Sequence, residues 1–113
     1  MYYLCSNIVK PVTAPFQMSF AELVGSSKLE WFVSHYWGMP VRHFNNAIRK
    51  HADSCRPAEE DWRESAYWVC TFSNSQWHVP EELGNGHVVE DSSFYLALRS
   101  PECMGTTMIM SCP

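Results

Sequence analysis

The sequence predicts an α/β domain with a small, three-layer open sheet of mostly parallel strands. Three observations carry this expectation. Runs rich in aromatic and β-branched residues occur at 31–37, 67–72 and 106–111. A helical apolar period fills the gap between the first two runs. A second, capped helical stretch lies between the last two. The order strand, helix, strand, helix, strand is that of βαβ units, which put helices on the faces of a parallel sheet.

The elements follow in order. Residues 1–30 read as an N-terminal extension and 31–113 as the α/β domain. Tyr2 to Val9 reads as a short strand, interrupted by Pro11 and Pro15. Ser19 and Glu22 form an S-x-x-E capping box for a short helical turn, which Gly25 ends. Trp31 to Trp37 is a buried strand running into Gly38 and Pro40. From Val41 to Ala52, Val41, Phe44 and Ile48 share one helical face, and Pro40 suits the first turn. Asp53 to Glu64 is a polar connection with a turn near Trp62, and Tyr67 to Phe72 is the second strand. Gln76 to Asp91 is mostly loop, with Pro80, Gly84 and Gly86. Ser92 or Asp91 caps a helix that Pro101 stops, and Thr106 to Ser111 is the third strand, its Met108 and Met110 read as core.

At 113 residues the chain holds one core and no second independent domain. Charged residues are 18% against an ordinary value of about 25%, while five Trp, five Tyr and six Phe supply bulk apolar surface. That composition excludes a disordered chain and a coiled coil. A net charge of −4 argues against nucleic acid as the partner, because phosphate binding needs clustered Lys and Arg. No apolar run reaches the roughly 18 residues of a membrane span. The first residues lack both a basic and a continuous apolar region, so no signal peptide is read there. Five scattered cysteines, odd in number and without a C-x-x-C, fit a reducing intracellular, cytoplasmic setting.

In open parallel sheets functional groups gather beyond the carboxyl ends of the strands. That singles out the loops Ser34–Pro40 and Ser73–Glu82. His35 at a strand end is either a general base or a satisfied structural group. Trp37, Trp68 and Trp77 either stack on a ligand ring or serve as core and rim aromatics. A Cys-His hydrolase would pair Cys70 with His35 or His78, but Cys70 lies in an apolar strand, where cysteine behaves as a small hydrophobe. A zinc site drawn from His35, His43, His51, Cys55 and Cys70 meets a spacing problem. His43 and His51 are two helical turns apart, too far for i, i+4 chelation.

The same two loops carry a family resemblance. Phe32-Val33-Ser34-His35-Tyr36-Trp37-Gly38 resembles the opening strand of the Toll/interleukin-receptor (TIR) superfamily, closest to its fungal heterokaryon-incompatibility (HET) branch. Tyr67-Trp68-Val69-Cys70-Thr71-Phe72-Ser73-Asn74-Ser75-Gln76 resembles that branch's second motif, a Trp-containing strand ending in Cys-Ile-Asn-Gln. The pairing is also similar to that in protist proteins of dinoflagellate type. The resemblance spans residues 31–111 and departs from the family at Cys70, where an Asp is usual, and at 71–76. It implies a TIR/flavodoxin-like sheet, minimal or truncated after the third strand.

The resemblance further implies a signalling or nucleotide-binding domain. NAD is its ligand or substrate, and its activity, if catalytic, is NAD-glycohydrolase-like. A Glu after the middle strands stabilises an oxocarbenium-like centre, as glycosidase carboxylates do. Glu82 fits that position by its offset from Gln76, and Glu90 is second; the plain alternative is a solvated Glu81-Glu82 pair opening a helix after Pro80. His35 joins Glu82 as a candidate catalytic group, and Ser34, Trp37, Gly38, Asn74 and Gln76 as candidate ligand-binding residues. The other reading is a non-catalytic interaction module, paired with a protein partner or with a second copy of itself, because a short sheet leaves open edges.

Overall fold

The structure is a computed structural model that describes residues 1–86 and 88–110. Ser111, the end of the predicted third strand, lies outside the described residues, as does Cys112. Three strands, β1 (Trp31–His35), β2 (Tyr67–Trp68) and β3 (Gly105–Ile109), form one sheet in the order β2-β1-β3. Both pairings are parallel, with Phe32 opposite Trp68 and Thr106. The helices are α1 (Tyr2–Leu4), α2 (Lys10–Thr13), α3 (Phe20–Val24), α4 (Val41–Cys55), α5 (Cys70–Ser73), α6 (Val79–Glu82) and α7 (Ser93–Arg99).

Alternation along β1 divides the core between two helices. Trp31 and His35 face α4, their rings 4.7 Å from His51 and 4.9 Å from Phe44. Val33 joins Met1, Met39, Phe44, Val69 and Ile109 in a buried cluster on that side. Phe32 faces the other way and stacks on its strand partner Trp68 at 4.8 Å, with Phe94 of α7 edge-on to Trp68 at 5.0 Å. Helices thus lie on both faces of a small parallel open sheet, the coarse α/β class that the sequence predicts. α4 continues past the predicted Ala52 to Cys55, and its C-cap Arg56, in extended conformation, precedes Pro57. The Ser19–Glu22 capping box is present, and Ser92 caps α7 through Tyr95 N at 3.2 Å, both as expected.

The N-terminal expectation fails. Tyr2 to Val9 is helical, not a strand: α1 runs through a π-type turn, Cys5–Val9, into α2. Met1, Cys5, Val9 and Thr13 are the buried positions, a stripe at every fourth residue. Pro11 lacks the N–H a regular turn needs, and the wider pairing of Lys10 N to Cys5 O precedes it. Residues 1–30 pack onto the sheet region, and the Met1 ammonium donates to the Trp37 carbonyl at 2.6 Å.

The second strand is shorter than predicted, and its second half is α5. The Ser73 hydroxyl accepts from Val69 N at 3.2 Å, while Phe72 N and Ser73 N donate to the Val69 carbonyl at 2.9 and 2.8 Å. A side chain thus offers the backbone an alternative to the sheet ladder and turns the chain out of it. The third correction concerns Met108 and Met110, which are 65% and 78% exposed rather than core. Met108 pairs with Ser34, on the face of the sheet opposite α4. The seven-residue α7 on that side packs on Phe32 and Trp68 and leaves the Met108 face of edge strand β3 open.

Candidate functional site

β1 and β2 run parallel and start in register, and the segments leaving their carboxyl ends meet in a cleft of about 190 Å³. Its walls are Trp37 from the β1–α4 loop, Cys70, Asn74, Gln76 and Glu82 from the stretch after β2, and Phe94. Of the residues singled out in sequence, Trp37, Asn74, Gln76 and Glu82 are therefore brought together. This is the position the rule for parallel sheets anticipates.

Local hydrogen bonds explain the shape of the cleft. The Gln76 side-chain amide donates to the Cys70 carbonyl at 3.1 Å and lies 3.4 Å from those of Thr71 and Asn74. It holds the turn shut behind α5. One Glu82 carboxylate oxygen accepts from Ser75 N at 2.8 Å, tying α6 back to the same turn. The Trp37 indole N–H donates to Cys70 Sγ at 3.2 Å and joins the two walls. Asn74 is 6% exposed, and its Oδ1 is buried with no hydrogen-bond partner among the described residues. A buried amide oxygen left unpaired costs free energy that a ligand N–H can recover.

The remaining candidates stand elsewhere. Ser34 and His35 do not line the cleft. The His35 ring sits against Phe44 on the α4 side of the sheet, and its Nε2 is buried without a partner among the described residues. Burial, and secondly the N-terminal ammonium, hold its imidazole below the ordinary 6.5, so it is neutral near pH 7. The pairing of His35 with Glu82 is thus not a feature of this cleft. At Gly38, the space a side chain would enter is occupied by the Tyr36 ring, so this glycine presents no open backbone to a phosphate. Glu90 is exposed in the turn Val89–Asp91 and also lies outside the cleft. Trp68 is committed to Phe32 and Phe94, and Trp77 to Thr13.

A larger groove of about 580 Å³ runs between α3, the segment 25–29 and β2, and shares Glu82 with the cleft. Its polar groups are largely serines, and Glu22 within it is already used in the capping box. The smaller cleft is the better candidate because it combines an aromatic wall, a carboxylate and an unpaired buried amide. Among the described residues no group of three or more His, Cys, Asp or Glu is arranged to hold a metal ion. No helix among them is long and apolar enough to cross a membrane.

Sequence reasoning missed Phe94 as a wall of this cleft, since nothing in the local pattern links α7 to the loop after β2. It also missed the pairing of His51 with Cys55. That signal was legible, because i, i+4 residues on a helix are neighbours. No family model, curated protein or solved structure matches the chain.

Proposed function

We propose that this chain is a TIR/HET-like nucleotide-binding domain of signalling type, whose cleft takes one planar ring of a nucleotide ligand such as NAD. The observation that carries the reading is the convergence of Trp37, Asn74, Gln76 and Glu82 on one cleft beyond the carboxyl ends of two parallel strands. Size narrows the ligand. A cleft of about 190 Å³ is below the roughly 300–1,000 Å³ of sites that enclose a whole drug-sized molecule. It suits a nicotinamide or a base, with the rest of the nucleotide outside. Trp37 and Phe94 supply aromatic surface, and Asn74 Oδ1 accepts from an exocyclic N–H. Glu82, which lines the same cleft, is assigned to the ribose end, where a carboxylate stabilises positive charge.

The test titrates the chain with NAD, AMP and nicotinamide by tryptophan fluorescence, and follows nicotinamide release from NAD. Saturable binding of NAD that weakens about tenfold in Asn74→Ala supports the reading, that being about one hydrogen bond's worth. Nicotinamide release lost in Glu82→Ala adds catalysis. Binding without release leaves a nucleotide-binding domain, and no saturable binding of any of the three sinks the proposal.

A second reading, an interaction module, rests on a different observation. Tyr2, Tyr3, Ile8, Val12 and Phe16 are all exposed on the N-terminal segment, and Met108 is exposed on the open edge strand β3. Exposed apolar side chains and an open sheet edge favour a protein partner or a second copy. Light scattering over a hundredfold concentration range checks it: an invariant monomer mass rejects self-association.

A further inference from the structure

A second group of reactive side chains lies on α4, away from the cleft. His51 and Cys55 are one turn apart on the same face, and Cys55 Sγ is 3.5 Å from His51 Nε2. The other ring nitrogen, His51 Nδ1, is 2.7 Å from the Tyr67 hydroxyl on β2. Trp31 and Tyr67 meet the imidazole edge-on at 4.7 and 5.6 Å and fix its plane. A nucleophile within reach of a base, and a third group orienting that base, is the arrangement that activates a thiol.

The other described cysteines differ. Cys5 is buried, and burial pushes its thiol up. Cys70 is half-buried, and its sulfur accepts the Trp37 indole N–H. Cys103 is half-buried and donates to the Gly105 carbonyl at 3.5 Å. Cys55 alone among them is both exposed and beside an imidazole. Next to the imidazole a shallow depression of about 370 Å³ is lined by Lys50, His51, Ser54 and the residues Thr107 to Met110. Cys55 itself does not line it, and its exposed thiol meets a co-reactant from solvent.

The charged surroundings leave the pair free to act. Burial, then the neighbouring Cys55 and Glu30, push the Tyr67 phenol up to about 12, so its hydroxyl stays neutral and serves Nδ1 as donor or acceptor. Arg56, the next residue along, is committed to Glu30 at 3.0 Å and Glu60 at 2.7 Å. Lys50 is the remaining charged group of the depression.

We propose that Cys55 is a nucleophilic thiol, served by His51 and positioned through it by Tyr67, that forms mixed disulfides with small disulfide compounds. The Cys55 S–H proton passes to His51 Nε2, and the sulfur attacks one sulfur of the compound RS–SR. The RS–SR bond breaks as the Cys55–SR bond forms. The departing RS⁻ takes the proton back from the imidazolium and leaves as RSH, or, where it is an acidic aryl thiol, leaves as thiolate while the imidazolium gives its proton to water. Cys55 is oxidised to the mixed disulfide, and half of the compound is reduced to thiol.

The test treats the full chain at pH 7 with dithiobis(nitrobenzoate), reads the released thiolate by absorbance, and maps the modified cysteine by peptide mass. Cys55 is expected to react first, about tenfold faster in the folded chain than in urea, a modest share of what a positioned base supplies. His51→Gln is expected to abolish that advantage. Tyr67→Phe, which keeps the ring, should lower the Cys55 rate severalfold while the Cys103 rate stays unchanged, a selectivity that general loosening of the fold would not produce. Tyr67→Phe also carries the test should His51→Gln unfold. Equal Cys55 rates in wild type and either folded variant, or modification of Cys103 or Cys70 before Cys55, would overturn the proposal.

Discussion

The indole N–H of Trp77 donates to the hydroxyl of Thr13 at 3.0 Å, joining residues 64 apart in sequence. Thr13 is fully buried, and its hydroxyl in turn donates to the Val9 carbonyl at 2.7 Å. One side chain therefore accepts from the segment after β2 and donates within the N-terminal helix. Lys10 Nζ lies 4.9 Å from the centre of the same indole and covers its face. The N-terminal segment is tied to the cleft region through this pair.

Thr13→Val keeps the shape of the side chain and removes the acceptor. Trp77 is only half-buried, so water can partly replace the lost partner. The expected loss is about 1–2 kcal/mol. Urea denaturation measures it, and a cycle with Trp77→Phe should return a coupling of about 1 kcal/mol. Additive single losses would show that the hydrogen bond contributes nothing specific.

Stability should depend on pH through His35. Its folded value lies below the ordinary 6.5, so between the two the unfolded chain binds a proton that the folded chain does not. Stability is then full above about pH 6.5, falls as the pH drops from there to the folded value, and levels off below it. The slope should stay under the limiting value of about 1.4 kcal/mol per pH unit, because the ring is only half-buried. His35→Phe keeps a ring against Phe44 and removes the titration. Urea midpoints at pH 7.5, 6.5 and 5.5 should fall less steeply with decreasing pH in that variant; identical slopes would refute the assignment.

Two glycines should respond differently to alanine. Gly84 has φ +78°, and an added Cβ would lie 3.3 Å from Ser92 N, so both backbone and neighbour resist it. Gly84→Ala is expected to cost about 1–2 kcal/mol. At Gly38 the obstacle is the Tyr36 ring, which is 64% exposed and can swing into solvent. Gly38→Ala should cost less than about 0.5 kcal/mol. Thermal melts of the two variants compare them directly, and equal losses would mean that Tyr36 is held in place.

Much of the frame was legible because its signals are local. The Ser19–Glu22 box, the Ser92 cap, the apolar stripe of α4 and the dense run at Trp31–His35 each depend on residues a few positions apart. The misread parts turned on partners far away or on unexpected side chains. Thr13 and Met1 belong to a buried helical stripe only because Trp77 and the Trp37 carbonyl receive them. Val69 leaves the sheet because Ser73 competes for its N–H. In the candidate cleft, Trp37, Asn74, Gln76 and Glu82 were singled out by loop position and resemblance, whereas Phe94 joins them only through packing.

By itself, then, the sequence determined the α/β class, the positions of the central strand and main helix, and the two loops where a site would form. Periodicity and capping act over a few residues and survive without tertiary context. Tertiary structure alone decided that the N-terminal segment is helical and part of the core. It also moved His35 to the far face of the sheet, left Met108 in solvent and set His51 between Cys55 and Tyr67. Those outcomes depend on which face of a strand a helix covers and how far it reaches, and such limits arise only when the elements pack.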